Sequence, residues 1–174
     1  MEVAAADAMR SYSFPPVIGP GARVLVLGSM PGQASLAAGR YYAHPRNTFW
    51  PIVSGALAGG KELSYRQGLA LLKKNHVALW DVLHSCVRSG SADTAIKREE
   101  PNNIGGLLIK GKIRLVIFNG AKAEQCFKRH ILPGLPPACA GIQYLRLPST
   151  SPAHAAMNFE RKLALWKKAL DGGK

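Results

Sequence analysis

The chain has 174 residues, and its 23 Lys and Arg against 10 Asp and Glu give a formal charge of +13, a size for one domain and a charge that attracts polyanions. Its 47% hydrophobic and 19% charged residues exclude a disordered or collagen-like chain. No apolar run approaches the ~20 residues of a membrane span, the start MEVAAADAMR lacks the pattern of a leader, and Cys86, Cys126 and Cys139 show no paired spacing, so no membrane, a cytoplasmic location and no metal site are expected.

Residues 1–20 read as a loose lead-in, broken by Pro and Gly, and residues 21–174 as a single domain. RVLVLGS is a short Val- and Leu-rich run bounded by turn residues, the pattern of a strand buried on both faces. TFWPIVSGAL predicts a helix opened by Thr48 with Pro51 in its first turn, and SYRQGLALLKKN a helix opened by Ser64. HVALWDVLHSC is a second apolar strand, PNNIGGLLIKG a short helix, IRLVIFNG a third strand and AKAEQCFKRHIL a helix. GIQYLRLPS is a fourth strand, and NFERKLALWKKAL closes the chain as an amphipathic helix with Phe159, Leu163, Leu165 or Trp166, and Leu170 on its apolar side. Four buried strands alternating with helices define an α/β fold, a parallel sheet with helices on both faces.

Ligands of such sheets bind outside the carboxyl ends of the strands. That rule selects GSMPG after the first strand, DVLHS at the end of the second, FNGAKA after the third and LPSTSPAHA after the fourth. No acid occurs between Asp7 and Glu62 or between Glu124 and Glu160, and these gaps hold the first and last of the four loops. DNA or another nucleic acid is therefore the first partner to expect. GSMPG lacks the G-x-G-x-x-G of a dinucleotide site. LPGLPPACA fails as a helix-hairpin-helix because Pro136 has no N–H to give a phosphate.

Gly28 and Gly32 around Pro31 make a tight turn open to close backbone approach. Downstream, Tyr41-Tyr42-Ala43-His44-Pro45-Arg46-Asn47 brings two aromatics, a His, an Arg and an Asn into a loop without apolar period, a composition suited to stacking and hydrogen-bonding a planar polar ring. Gly28-Ser29-Met30-Pro31 followed by Tyr41 through Trp50, with Leu147-Pro148-Ser149-Thr150-Ser151-Pro152-Ala153 after the last strand, resembles the motifs of the uracil-DNA glycosylase superfamily. The resemblance spans about residues 22 to 168 and is nearest to the hypoxanthine-DNA glycosylase branch, with the mismatch-specific uracil/thymine glycosylases as related enzymes. It implies a three-layer α/β/α sandwich around a four-stranded parallel sheet, and a monomeric enzyme that flips a deaminated or mispaired base out of DNA. The N-glycosidic bond is then hydrolysed without metal or cofactor.

The resemblance implies a role for each motif residue. Asn47 matches a catalytic Asn that holds the attacking water; read from the residues alone it is a helix cap, and one Asn serves both. Met30 stands where mismatch-specific relatives carry a water-binding Asn, and a thioether orients no water, so the task falls on Asn47. Tyr42 matches the aromatic that stacks on the flipped base, with Gly28 and Ser29 in the adjoining turn. His44 has two readings, a donor to base or phosphate and a structural His before Pro. Asn119 is either a reader of the base edge or an Asn-Gly turn, and Asp81 either a ligand contact or a buried hydrogen-bond hub. Pro148, Ser149, Ser151 and Pro152 are the DNA-binding loop, in which Leu147 and Ser151 replace the His and the large wedge of other relatives; His154 stands close enough to substitute in part. The competing reading from another class is a non-catalytic DNA-binding module.

Overall fold

In the computed structural model, which describes residues 10–172, the run after Arg23 forms β2 (Val24–Gly28), preceded by a short β1 (Arg10–Tyr12). There follow α1 (Gln33–Ala38), α2 (Phe49–Leu57), α3 (Tyr65–Lys74), β3 (Val77–Asp81), β4 (Leu83–Val87), β5 (Lys97–Pro101), α4 (Ile104–Lys110), β6 (Leu115–Asn119), α5 (Ala121–His130), β7 (Gln143–Leu147) and α6 (Phe159–Gly172). β2, β3, β6 and β7 form a parallel sheet in the order β3-β2-β6-β7. Its strands read as continuous apolar runs because both faces are covered. Val24, Val26, Leu115 and Ile117 face Phe49, Ile52 and Val53 of α2, Leu72 of α3 and Trp166 and Leu170 of α6. Leu25, Leu27, Val116 and Phe118 face Ile104 and Leu108 of α4 and Ala123, Cys126 and Phe127 of α5. The chain is thus the three-layer α/β/α sandwich that the alternation of strands and helices predicts. Each fully buried Leu or Phe contributes ~1.5–3 kcal/mol of transfer free energy, so the sheet forms a stiff base for its loops.

Local chemistry accounts for the helix starts. Ser64 and Gln67 form a reciprocal capping box, with Ser64 Oγ accepting from the Gln67 N–H at 3.3 Å and Gln67 Oε1 accepting from the Ser64 N–H at 2.8 Å. Asn103 caps α4 by accepting from the Gly106 N–H at 2.9 Å, so Pro101 and Asn102 lie ahead of that helix, and the expected span beginning at Pro101 starts too early. On α6 the choice between Leu165 and Trp166 falls to Trp166, which is buried while Leu165 is exposed. The same helix also buries a charged residue, Lys162.

Other expectations are corrected. Residues 1–9 of the supposed lead-in lie outside the described residues, but residues 10–12 form β1, paired antiparallel with β4. The run HVALWDVLHSC is not one strand. β3 ends at Asp81; the Val82 N–H donates to the Gly28 carbonyl at 2.8 Å, and the chain turns away as β4 to pair with β1 and β5 in a second, antiparallel sheet. Apart from Asp81 itself, the run carries no sign of such a change of partner. α1 and β5 were not anticipated at all: α1 is only 6 residues long, and β5 reads KREEP.

Candidate active site

Strand register builds the site. β3 pairs with β2 so that Asp81 lies beside Gly28, and β7 pairs with β6 so that Leu147 lies beside Asn119. All four strands therefore end on one edge, where a cavity of about 680 Å³ opens. Gly28, Ser29, Met30, Tyr42, His44, Asn47, Asp81, Asn119, Ser149, Ser151, Pro152 and His154 all line it. Pro148 does not; its carbonyl accepts from Trp166 Nε1 at 3.2 Å, which ties the last loop to α6. Leu147, the last residue of β7, turns into the core.

At the floor, Asp81 is buried and its Oδ2 has no hydrogen-bond partner among the described residues. Burial, the largest influence, pushes its pKa up to about 7; Arg88 opposes the rise and Asp93 adds to it. Gly28 is required here, since a Cβ at that position would lie 2.4 Å from Asp81 Oδ1 and 3.0 Å from Tyr42 Oη. The Tyr42 ring stacks on Phe49 at 4.1 Å between centroids, which leaves it backed from behind as it lines the cavity. Tyr42 holds φ at +53°, a left-handed conformation that costs an L residue ~1–3 kcal/mol and that surrounding contacts must enforce. Burial, then the nearby Asp81, raises its hydroxyl pKa, so the phenol stays neutral.

Asn47 Oδ1 accepts from the Phe49 N–H at 3.0 Å, an Asx-turn bond to the first residue of α2 from one position ahead of the cap. An amide oxygen has two lone pairs, and the second remains for a water in the cavity. Thr48 holds the cap position as expected but makes no side-chain cap bond; it donates its hydroxyl and its N–H to the Thr150 carbonyl, at 3.2 and 3.0 Å. His44 Nδ1 accepts from the Arg46 N–H at 3.1 Å, a local turn contact. Asn119 is engaged on both sides of its amide: Nδ2 donates to Thr150 Oγ1 and Oδ1 accepts from the Thr150 N–H, each at 2.9 Å. Thr150, buried and bonded to both Asn119 and Thr48, fastens the last loop to the first. Thr150 lies in the middle of the 147–153 loop, where nothing local marks it, because its partners Asn119 and Thr48 are far along the chain.

The motifs leave out the segment 88–94. Ser91, Ala92, Asp93 and Thr94 line the cavity; Asp93 Oδ1 accepts from Ser29 Oγ at 2.8 Å, and Ser91 Oγ accepts from the Gln33 N–H at 2.9 Å. The signal available was the polar run RSGSAD directly after the strand that ends at Val87. Lys122 also lines the cavity, but Glu99 Oε1 holds its Nζ at 2.6 Å. Burial works to lower the Lys122 pKa and the Glu99 contact more than reverses it, leaving an ammonium that is no nucleophile.

Charge in the second acid-free gap is arranged differently from its appearance in sequence. Lys128 and Arg146 pair with Glu124, and Arg129 pairs with Glu99. Glu124, at the edge of the gap, and Glu99, on β5, fill it in space.

A parallel sheet with a polar, aromatic-backed cavity at its carboxyl edge is the arrangement the motif resemblance implies, and comparison with known proteins gives the class, a DNA glycosylase. Residues 15–171 match the family model for the uracil DNA glycosylase superfamily. A hypoxanthine DNA glycosylase of Methanosarcina barkeri is 40% identical over 120 residues, covering 67% of this chain and 75% of that protein. One of Methanosarcina acetivorans is 35% identical over 156 residues, covering 88% and 94%. A solution NMR structure from Methanosarcina acetivorans, of a protein provisionally named a uracil DNA glycosylase, superposes with a TM-score of 0.79 at 32% identity, over 95% of this chain and 99% of that one. The chain belongs to the uracil DNA glycosylase superfamily.

Proposed function

We propose that this DNA glycosylase releases deaminated bases from DNA, hypoxanthine first and uracil second, as a cytoplasmic monomer that does not itself cut the strand. The observation that carries the reading is the single cavity shared by Asn47, the backed ring of Tyr42 and the buried carboxyl of Asp81; the names of the Methanosarcina relatives support the choice of hypoxanthine. In hydrolysis the bond from C1′ to the base nitrogen breaks, and its electron pair leaves with the base. Positive charge develops on the sugar and negative charge on the base, and a catalyst gains from interactions that strengthen as those charges grow.

Asn47 orients the water that adds to C1′ through the free lone pair of its Oδ1, and the water's proton passes to solvent. Tyr42 stacks on the flipped base, an interaction worth ~1–3 kcal/mol. Asp81, with its pKa raised to about 7, carries a proton in part of the molecules at neutral pH and then donates to a base carbonyl oxygen as negative charge gathers there. Hypoxanthine and uracil each present a carbonyl next to a ring N–H, so one protonated carboxyl meets both atoms. With Ser151 as a small side chain in the last loop, extraction depends on pairs that are already weak. The unsatisfied Asp81 oxygen fits a non-catalytic base-binding module as well, so that other reading is separated by Asn47→Ala, which a non-catalytic module should tolerate and a glycosylase should not.

The test is incubation with matched oligonucleotides carrying inosine, uracil, xanthine or a G·T pair, followed by alkaline cleavage at abasic sites. Cleavage at inosine ahead of uracil is expected. No cleavage on any of the four rejects the substrate reading, and light scattering of the free protein checks the monomer.

A further inference from the structure

The segment that crosses the cavity begins at Arg88, immediately after β4. Arg88 is 3% exposed, an uncommon position for a guanidinium, which is rarely buried without a pairing carboxylate. One of its nitrogens, Nη2, donates to the Pro31 carbonyl, in the turn between β2 and α1 that lines the cavity. Its Nε and Nη1 have no partner among the described residues. Asp81 Oδ2 is the buried acidic oxygen in the same condition. A carboxyl with an unpartnered oxygen and a guanidinium with two unpartnered nitrogens thus border the same turn, Asp81 at Gly28 and Arg88 at Pro31.

We propose that Arg88 is a positioning residue of the base pocket: its guanidinium clamps the turn at Pro31 and supplies the charge against which the Asp81 carboxyl meets the base. This rests on the reading of the cavity as a base pocket. Breaking a hydrogen bond to a charged group while leaving its partner buried is costly, so the clamp fixes the height of Ser29 and Met30 above the sheet. The second effect is on the proton. Around Asp81 stand Arg88, which favours the ionised carboxylate, Asp93, which opposes it, and the Tyr41 and Tyr42 hydroxyls, whose own ionisation burial and Asp81 suppress. Arg88 is the cation in this group, so it limits how tightly Asp81 holds the proton that the departing base requires. Arg88 touches no substrate; it acts through Asp81 and the turn.

The experiment compares the unaltered full chain with Arg88→Met and Arg88→Lys in two measurements. One is the carbon NMR titration of the Asp81 carboxyl in the free protein. The other is single-turnover base release from inosine-containing duplex across pH 5 to 9, approximate limits set by the ~1–3 unit effect of a neighbouring charge. In the unaltered chain, Asp81 titrates and release declines on the alkaline side together. Arg88→Met is expected to move both midpoints upward by about one unit or more. Arg88→Lys keeps a charge but lacks the planar fork, so its midpoints stay near those of the unaltered chain while release slows by about tenfold or more. A folded Arg88→Met protein with an unmoved Asp81 midpoint overturns the electrostatic role. Unchanged release in Arg88→Lys overturns the clamp; if Arg88→Met does not fold, Arg88→Gln, neutral but able to donate to the Pro31 carbonyl, takes its place in the Asp81 titration, and an unmoved midpoint there overturns the electrostatic role. The Asp81 titration needs no substrate, so it separates failure of this inference from failure of the substrate reading.

Discussion

Two carboxyl groups whose side chains have little contact with solvent are driven in opposite directions. Asp81 ends β3 at the floor of the cavity with one oxygen unsatisfied, and its pKa rises to about 7. Glu99, on β5 where it packs against α5, has a side chain only 8% exposed. It meets Lys122 at 2.6 Å, His130 at 2.7 Å and Arg129 at 3.2 Å. Burial works to raise the Glu99 pKa, but the hydrogen bonds from Lys122 and His130, followed by the charges of Lys122 and Arg129, bring it down to about 2. Desolvation acts on both; what differs is whether partners were supplied. A seam that holds the second sheet to the sandwich satisfies its buried acid, whereas a binding site leaves its acid wanting, because the missing partner is the ligand. The same contrast separates Lys122, held as an ammonium by Glu99, from Arg88, with two nitrogens open.

The contrast can be broken from either side. The largest effect is expected at the cavity: Asn47→Ala should slow single-turnover base release by about a hundredfold or more while DNA affinity stays within a few-fold, since misplaced water rather than lost binding is at fault. Equal loss of affinity and rate would make Asn47 a binding residue. Glu99→Gln should do the reverse. It leaves cations without their acid and is expected to destabilise by about 2 kcal/mol, a value reduced because Arg129 faces solvent, read as a melting temperature lower by about 4–8 °C. Release from bound DNA should change little, and a large loss would tie the seam to catalysis.

The two acids also predict opposite pH dependences, readable from urea midpoints. For Glu99, with a folded pKa below its ordinary 4.5, the stability contribution is present above pH 4.5 and lost as pH falls toward 2. For Asp81, with a folded pKa above its ordinary 3.8, the native state binds the proton more tightly, so stability falls as pH rises from 3.8 to about 7 and is level above that. The slope is at most about 1.4 kcal/mol per pH unit, and Asp81→Asn should flatten it. The smallest effect is expected of Trp166→Phe, which removes the bond to the Pro148 carbonyl for about 1 kcal/mol and loosens the last loop from α6.

Legibility in the sequence was uneven for identifiable reasons. The four parallel strands are apolar on both faces, as VLVLG and LVIFN show, so their composition betrays them. Ser64 and Gln67 announce a capping box by spacing. By contrast, β5 consists of KREEP, whose side chains face solvent or ions, and nothing in that string suggests a strand. The motif residues came together in one cavity because loops at the same sheet edge converge whatever their separation along the chain. Thr150 and Arg88 escaped notice because their importance lies in partners 102 and 57 positions away, Thr48 and Pro31.

Sequence alone determined the α/β alternation, the basic character and the family motifs around Asn47 and Pro148, since these depend on residue type and local spacing. Tertiary structure decided which charges are neutralised, which apolar run changes sheets at Val82, and which buried polar atoms are left unpaired. Those outcomes are set by distances of a few ångströms between residues far apart in the chain, and the energy of a buried charge depends on such distances rather than on the order of residues.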